Sequence, residues 1–336
     1  MKATRIDGHS VNGSRTVLAE VLPLDTPYSV TFFPIYACNF KCNYCLHSIS
    51  NEMRRHISDV VSMDFELYKK CIDDIATFPR KLKALHFIGY GEPLLHKDIS
   101  KMVAYAVEKE VADVVDIVTN GALLTPQLSN DLINAGLSIL RISIQGINTE
   151  KYKQISGVDI DFEMFIKNIQ YFYQQKKNTL LHVKIIDCML DEAEESTFLN
   201  IFGNISDTIA VEHLVPLNEA SYSNTNHSKD FNKNMLGNNL VYSDICPQPF
   251  YWMQINPDGK CIPCCNVDFP IYVGDCKQES VRAIWNNEKY NSFRRMHLLK
   301  KKANNSICEK CQYYKYTMYS EEVLDDDAGR LIKLFD

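Results

Sequence analysis

From Val30 onward the chain alternates short apolar, β-rich runs with longer stretches whose apolar residues recur at helical spacing. The pattern predicts strands over Val30–Ala37, Ala84–Gly89, Val114–Thr119, Leu140–Ile144, Leu180–Ile186 and Ile209–Val215. Between them it predicts helices over Asp64–Phe78, Ile99–Lys109, Pro126–Ala135, Phe162–Gln175 and Glu192–Phe202. Ser62 and Asp64 stand where a helix N-cap belongs. Repeated βα units imply a parallel sheet with right-handed crossovers. Strand ends on one rim then carry the chemistry.

Outside residues 30–217 the periodicity weakens. Residues 1–29 read as a short polar extension and 218–245, rich in Asn and Ser, as a linker or ordered loop. Residues 246–311 hold seven of the twelve cysteines, and 312–336 form a tail with the acidic run Asp325-Asp326-Asp327. Pro257-Asp258-Gly259 between apolar residues predicts a hairpin, followed by helices near Val281–Tyr290 and Phe293–Lys301.

Composition narrows the class. A 46% hydrophobic and 23% charged chain of 336 residues is that of a soluble globular protein large enough for two domains. A net charge of −6 offers no general basic face for nucleic acid. No apolar run reaches bilayer-spanning length, and Glu20 and Asp25 interrupt any signal core, so a cytoplasmic location is expected. Twelve cysteines in such a chain point to metal or redox work rather than disulfides.

Three of them, Cys38, Cys42 and Cys45, sit on one short loop directly after the first predicted strand. Three thiolates can hold three irons of a four-iron cluster and leave the fourth open; a zinc site would want a fourth ligand. Further along, Gly89-Tyr90-Gly91-Glu92-Pro93, Thr119-Asn120-Gly121 and Ser143-Ile144-Gln145-Gly146 each close a predicted strand. Period two places Arg141, Ser143 and Gln145 on one face. Taken singly, each is an ordinary turn or cap. Together, in this order, they resemble the signature of the radical S-adenosylmethionine (SAM) enzymes.

The resemblance implies a partial (β/α)6 TIM-type barrel, which six βα units also fit. It implies that Cys38, Cys42 and Cys45 ligate a 4Fe-4S cluster. The open iron of that cluster chelates SAM, which is cleaved reductively to a 5′-deoxyadenosyl radical. It further implies that Gly91 and Glu92 bind the SAM amino group, that Asn120 and Ser143 reach its ribose or carboxylate, that Gln145 belongs to the same cofactor-binding set, and that Tyr44 lies beside adenine. Tyr90 stands where the strict family pattern has Gly.

The second cysteine set is Cys246, Cys261, Cys264, Cys265, Cys276, Cys308 and Cys311. A hairpin, a helix and a terminal Cys-x-x-Cys resemble the SPASM/twitch domains of many radical SAM enzymes. With no cysteine after Cys311, the resemblance implies a single auxiliary 4Fe-4S cluster held by Cys246, Cys264, Cys308 and Cys311. Cys261 and Cys265 leave the middle ligand open, and a structural zinc site is the alternative. A cluster closed by four protein ligands carries electrons.

Size and cluster number resemble the aminocyclitol dehydrogenases. The implied substrate is a small polar, carbohydrate-like molecule oxidised at a carbon bearing a hydroxyl, with a flavodoxin- or ferredoxin-type reductant. A carbohydrate epimerase using a Cys hydrogen donor and a peptide- or protein-modifying maturase are the alternatives. Catalytic candidates are Cys188, Cys261, Cys265, Lys184 and His213, with Cys276 a further spare thiol. A buried inert thiol is the ordinary fate of any one of these cysteines.

Overall fold

The computed structural model describes residues 1–6, 15–48, 58–191, 193–215, 231–266 and 268–335. One ten-stranded sheet organises the chain, in the order β1-β7-β6-β5-β4-β3-β2-β8-β9-β10. Its strands are β1 Thr4–Arg5, β2 Ser29–Phe32, β3 Leu82–Phe87, β4 Ala112–Thr119, β5 Ile139–Ile144, β6 Leu180–Ile186, β7 Thr208–Glu212, β8 Trp252–Ile255, β9 Lys260–Ile262 and β10 Gly274–Asp275. The pairings from β1 to β8 are all parallel; β8–β9 and β9–β10 are antiparallel. This is the partial barrel of βα units expected, extended at both edges.

The extensions were not anticipated. The segment expected as a plain N-terminal extension adds β1 to the barrel edge beside β7. The C-terminal hairpin continues the barrel sheet, with β8 pairing β2 in parallel from Ser29↔Trp252 to Phe32↔Ile255.

Helices cover the outer face: α1 Leu18–Val21, α2 Phe65–Ile75, α3 Ile99–Glu108, α4 Pro126–Asn134, α5 Thr149–Ser156, α6 Phe162–Gln175 and α7 Glu194–Phe202. Their starts follow from local chemistry. The Asp64 carboxylate accepts the N–H groups of Glu66 and Leu67, and Asp161 accepts that of Met164. Each such cap is worth about 1 kcal/mol. Helix α5 went unpredicted because its eight residues are mostly polar. Glu192, the expected start of α7, lies outside the described residues, as do residues 218–230 of the expected linker.

Two expected strands end early. After Phe33, Pro34 has no N–H for a ladder, and Ile35 forms an isolated bridge with Ser62. At the end of β7 the His213 N–H turns to the Met235 carbonyl. The helix expected over Val281–Tyr290 is broken at Asn287, whose side chain caps a new helix, Glu288–Leu298.

Alternation along the strands builds two faces. Val30, Phe32, Leu85, Phe87, Val115, Ile117, Leu140, Ile142, Leu181 and Val183 are buried in the main apolar core under the helices. Phe32, Phe87 and Tyr68 of α2 pack ring on ring there, with centroids 4.9–6.2 Å apart. Each such side chain contributes about 1.5–3 kcal/mol by leaving water. A second core joins Leu18, Ala19 and Leu22 to Ile245, Phe250, Leu298, Leu324, Leu331 and Phe335. The expected tail thus closes over the N-terminal segment.

Candidate active site and cluster-binding cysteines

The loop carrying Cys38, Cys42 and Cys45 is held by the barrel. Phe40 is buried against the Tyr152 ring of α5. The N–H groups of Lys41 and Asn43 donate to the Ser156 and Ile155 carbonyls at the end of that helix. Cys42 Sγ and the Tyr44 hydroxyl both donate to Gln145 Oε1, at 3.6 and 2.5 Å. Gln145 is itself fixed by donating to the Ser143 carbonyl. Asn120 Nδ2 donates to Asn39 Oδ1 at 2.8 Å. Of the expected SAM residues, Tyr44 lies in the cysteine loop itself, Asn120 and Gln145 reach it from 75 or more residues beyond Cys45, and the Ser143 carbonyl holds Gln145 there.

Gly91 and Glu92 join them by steric necessity. A Cβ on Gly91 would lie 2.0 Å from the Ile35 carbonyl oxygen, so only glycine lets this turn dock on the segment leading to Cys38. The Glu92 N–H donates to the Ala37 carbonyl. Its carboxylate accepts from the Thr119 hydroxyl and from the N–H groups of Asn120 and Leu94, at 2.5, 2.7 and 2.9 Å. Glu92 thus clamps the turns after β3 and β4 together. Burial pushes its pKa up to about 6, against the opposing pull of these donors.

The three thiols fit a cluster. Burial lifts the Cys38 thiol to about 11, and the charges of Glu92 and Cys45 add to that. Burial, Cys45 and Cys38 raise Cys42 further. Thiols this close cannot all ionise unless a cation takes them, as iron would.

The second site is assembled from separate segments. Cys246, Cys264, Cys308 and Cys311 line one partly open cavity. They ring this space instead of converging on one point: among the described residues no three His, Cys, Asp or Glu side chains meet as a single ion needs. Asn305 places the last two cysteines. Its Oδ1 accepts from the Ile307 and Cys308 N–H groups, and its Nδ2 donates to the Pro270 carbonyl.

Cys265 and Cys261 go elsewhere. The Cys265 thiol donates to Gln248 Oε1 at 3.3 Å. Cys261 is fully buried, with its sulfur 3.3 Å from that of Cys276 and both near Cys71 of α2. This trio lies on the helix side of the sheet. The expected catalytic candidate Cys261 and the spare Cys276 therefore do not reach the barrel interior. Contact with the Cys261 and Cys71 thiols holds the Cys276 thiol below the usual range, against the cost of burial.

Tyr90 connects the two sites. Its hydroxyl donates to the Cys265 carbonyl at 3.1 Å, while its own carbonyl faces His47 Nε2 at 3.0 Å. The bulk at the family's glycine position thus braces the auxiliary loop from the SAM side.

The opposite alternation lines the barrel interior with polar groups. His86 of β3 lies 2.7 Å from Asp116 of β4, which accepts from Arg141 Nε of β5 at 2.8 Å. The Trp252 ring of β8 stacks on His86 with centroids 5.4 Å apart. Burial alone would raise the Asp116 carboxyl, but the charges and hydrogen bonds of His86 and Arg141 hold it well below the carboxylate range. Thr31 Oγ1, Arg141 Nη1, Trp252 Nε1, Gln254 Oε1 and Asn256 Nδ2 are buried without a hydrogen-bond partner in the structure.

At the rim, Lys184 pairs with Glu212 at 2.7 Å, and His213 with Asp187 at 2.6 Å. Glu212, not His213, carries the inward register from β7. Cys188, half-buried beyond β6, is raised to about 12 by burial and Asp187. Sequence reasoning passed over His86, Asp116 and Gln254. Their signal was a polar residue within an otherwise apolar parallel strand.

The chain matches the radical SAM superfamily model over residues 32–199 and the SPASM iron-sulfur cluster-binding domain over 246–312. Mycofactocin maturase MftC of Mycolicibacterium smegmatis is 29% identical over 147 residues, 44% of this chain and 34% of that protein. A tungsten-containing aldehyde ferredoxin oxidoreductase cofactor-modifying protein of Pyrococcus furiosus is 22% identical, covering 83% of this chain and 87% of its own. The chain spans 25–38% of the length of several curated relatives that it resembles over shorter stretches.

In fold it is similar to BtrN in complex with AdoMet and 2-DOIA: TM-score 0.52, 20% identity, 85% of this chain and 92% of that one. It is also similar to Streptococcus suis SuiB bound to precursor peptide SuiA: TM-score 0.63, 15% identity, 93% and 77%. Among the described residues no helix is long and apolar enough to cross a membrane. The cysteine loop, the strand-end residues gathered on it and the separate four-cysteine cavity agree with these matches: this chain is an enzyme of the radical SAM superfamily with a SPASM domain, its cofactors being SAM, a SAM-binding 4Fe-4S cluster and an auxiliary cluster.

Proposed function

We propose that this enzyme oxidises a small hydroxylated metabolite, of sugar or aminocyclitol type, at a carbon bearing a hydroxyl. The observation that carries the reading is the inward face of the barrel. Thr31, Arg141, Gln254 and Asn256 present buried polar atoms without a partner, which is costly unless a polar guest satisfies them. Cys38, Cys42 and Cys45 would hold the open cluster, and Cys246, Cys264, Cys308 and Cys311 a single closed one. When bound, the open cluster and SAM supply the radical that removes a hydrogen atom from substrate.

The protein's own groups do the rest. Gly91, Glu92, Asn120, Ser143 and Gln145 shape the SAM site. The Asp116–Arg141–His86 set orients substrate hydroxyls, and the Lys184–Glu212 pair at the rim takes the hydroxyl proton. Reduction of the open site would come from a flavodoxin- or ferredoxin-type partner. A protonated Cys188 at the rim is the thiol best placed for the epimerase alternative.

A second reading, modification of a peptide, is favoured by the likeness to MftC and to the peptide-bound SuiB. One experiment separates them. Anaerobically reconstituted protein is given SAM and dithionite with a panel of sugars and aminocyclitols, and separately with short peptides. One carbonyl product per 5′-deoxyadenosine from a polyol supports oxidation. An epimer with no net oxidation points to Cys188, and turnover only with peptides overturns the proposal.

A further inference from the structure

The auxiliary cavity is lined by more than its cysteines. Asn266 Nδ2 donates to Cys311 Sγ at 3.1 Å. His297, only 3% exposed, places Nε2 3.9 Å from Cys308 Sγ, and its buried Nδ1 has no hydrogen-bond partner in the structure. Phe293 meets that ring edge-on at 4.9 Å and fixes its plane. Lys302 lines the same cavity, its ammonium donating to the Tyr314 hydroxyl at 3.3 Å. No Asp or Glu is among the described residues lining it. The SAM-side loop is the reverse, with buried Glu92 the charged neighbour of Cys38.

Reducing a cluster adds negative charge. Hydrogen bonds to its thiolates and a nearby cation therefore favour the reduced form, while a nearby carboxylate opposes it. We propose that Asn266, His297 and Lys302 are positioning residues that hold the reduction potential of the auxiliary cluster above that of the SAM-binding cluster. The inference rests on the oxidative reading above. There the hydroxyl-bearing carbon loses its hydrogen atom to the deoxyadenosyl radical. The hydroxyl proton would then leave to the Lys184–Glu212 pair, and a cluster held by Cys246, Cys264, Cys308 and Cys311 would take the remaining electron. The carbon–oxygen bond becomes a carbonyl, and the stored electron leaves to an external one-electron acceptor of ferredoxin type. A raised potential makes that transfer downhill and one-way.

The test is a redox titration of the anaerobic holoenzyme followed by electron paramagnetic resonance, in which the two clusters are read separately. Asn266→Ala should weaken reduction of the auxiliary cluster about tenfold, a fall of about 59 mV for one electron. Asn266→Asp, of the same shape but presenting an acceptor, should lower it further. The SAM-binding cluster should not move in either variant. A merely structural role would not rank Ala and Asp in this order. If Asn266 variants lose the auxiliary cluster, Lys302→Met, which keeps the stem, gives the same reading with the same expected direction. Two loaded clusters with unchanged potentials in all variants overturn this proposal and leave the oxidative reading standing. A wild type holding about four irons, with zinc at the second site, overturns both.

Discussion

The two cysteine sites solve one problem in opposite ways. At the SAM side the three cysteines proposed as ligands occupy a single loop, and the tertiary structure only has to brace it, through Gln145, Asn120, Glu92 and the end of α5. At the auxiliary side the four cysteines proposed to hold a cluster come from three separate segments, so the fold itself brings them to one cavity, through Asn305 and the hairpin docked on β2. The electrostatic surroundings differ too. A buried carboxylate faces the first site; an amide, an imidazole and an ammonium face the second. In the proposed reading, cysteine spacing marks where iron would bind, and the surrounding groups set which cluster would take the electron.

The comparison is broken most severely by removing one site. A Cys38→Ala/Cys42→Ala/Cys45→Ala variant is expected to form no 5′-deoxyadenosine while iron falls from about eight to about four per chain. Loss of all iron would mean that the two sites do not load independently.

The next largest effect is at the polar interior of the barrel. Asp116→Ala leaves Arg141 and His86 buried without their carboxylate, and destabilisation of about 3–5 kcal/mol is expected in chemical denaturation. A change below 1 kcal/mol would show that water or a neighbour already compensates.

The clamp at Glu92 gives a smaller, pH-dependent signature. Its pKa is raised when folded, so its contribution to stability is fully present below the unfolded value near 4.5 and is lost as pH rises through about 6. The span is about 2 kcal/mol. Glu92→Gln should flatten the denaturation midpoint across that window; an unaltered slope would assign the titration to another group.

Smallest is the thiol trio behind the hairpin. Cys276→Ser is expected to change stability by no more than about 1–2 kcal/mol and to leave the iron count at wild-type level. A loss of about four irons would make Cys276 a ligand and redraw the second site.

The sequence was legible where function is local. Three cysteines within eight residues, and a polar motif at the ends of three successive strands, need no knowledge of distant packing. The strand and helix order of residues 30–212 follows from periodicity alone, because each face of each element must be buried or wet. Helix α5, too polar to show a stripe, and β1, two residues long, left no such signal.

What only the tertiary structure decided depends on long-range contact. It turned Cys264 into the second cavity, sent Cys265 to Gln248 and hid Cys261 with Cys276 and Cys71 on the helix side. Spacing cannot distinguish three cysteines within five residues. It gave Tyr90 its partner 175 residues away and set Glu212, not His213, on the inward face. The residue types and their period come from the chain. Which of them meet is settled by sheet register, the burial of apolar faces and the need of every buried polar group for a partner.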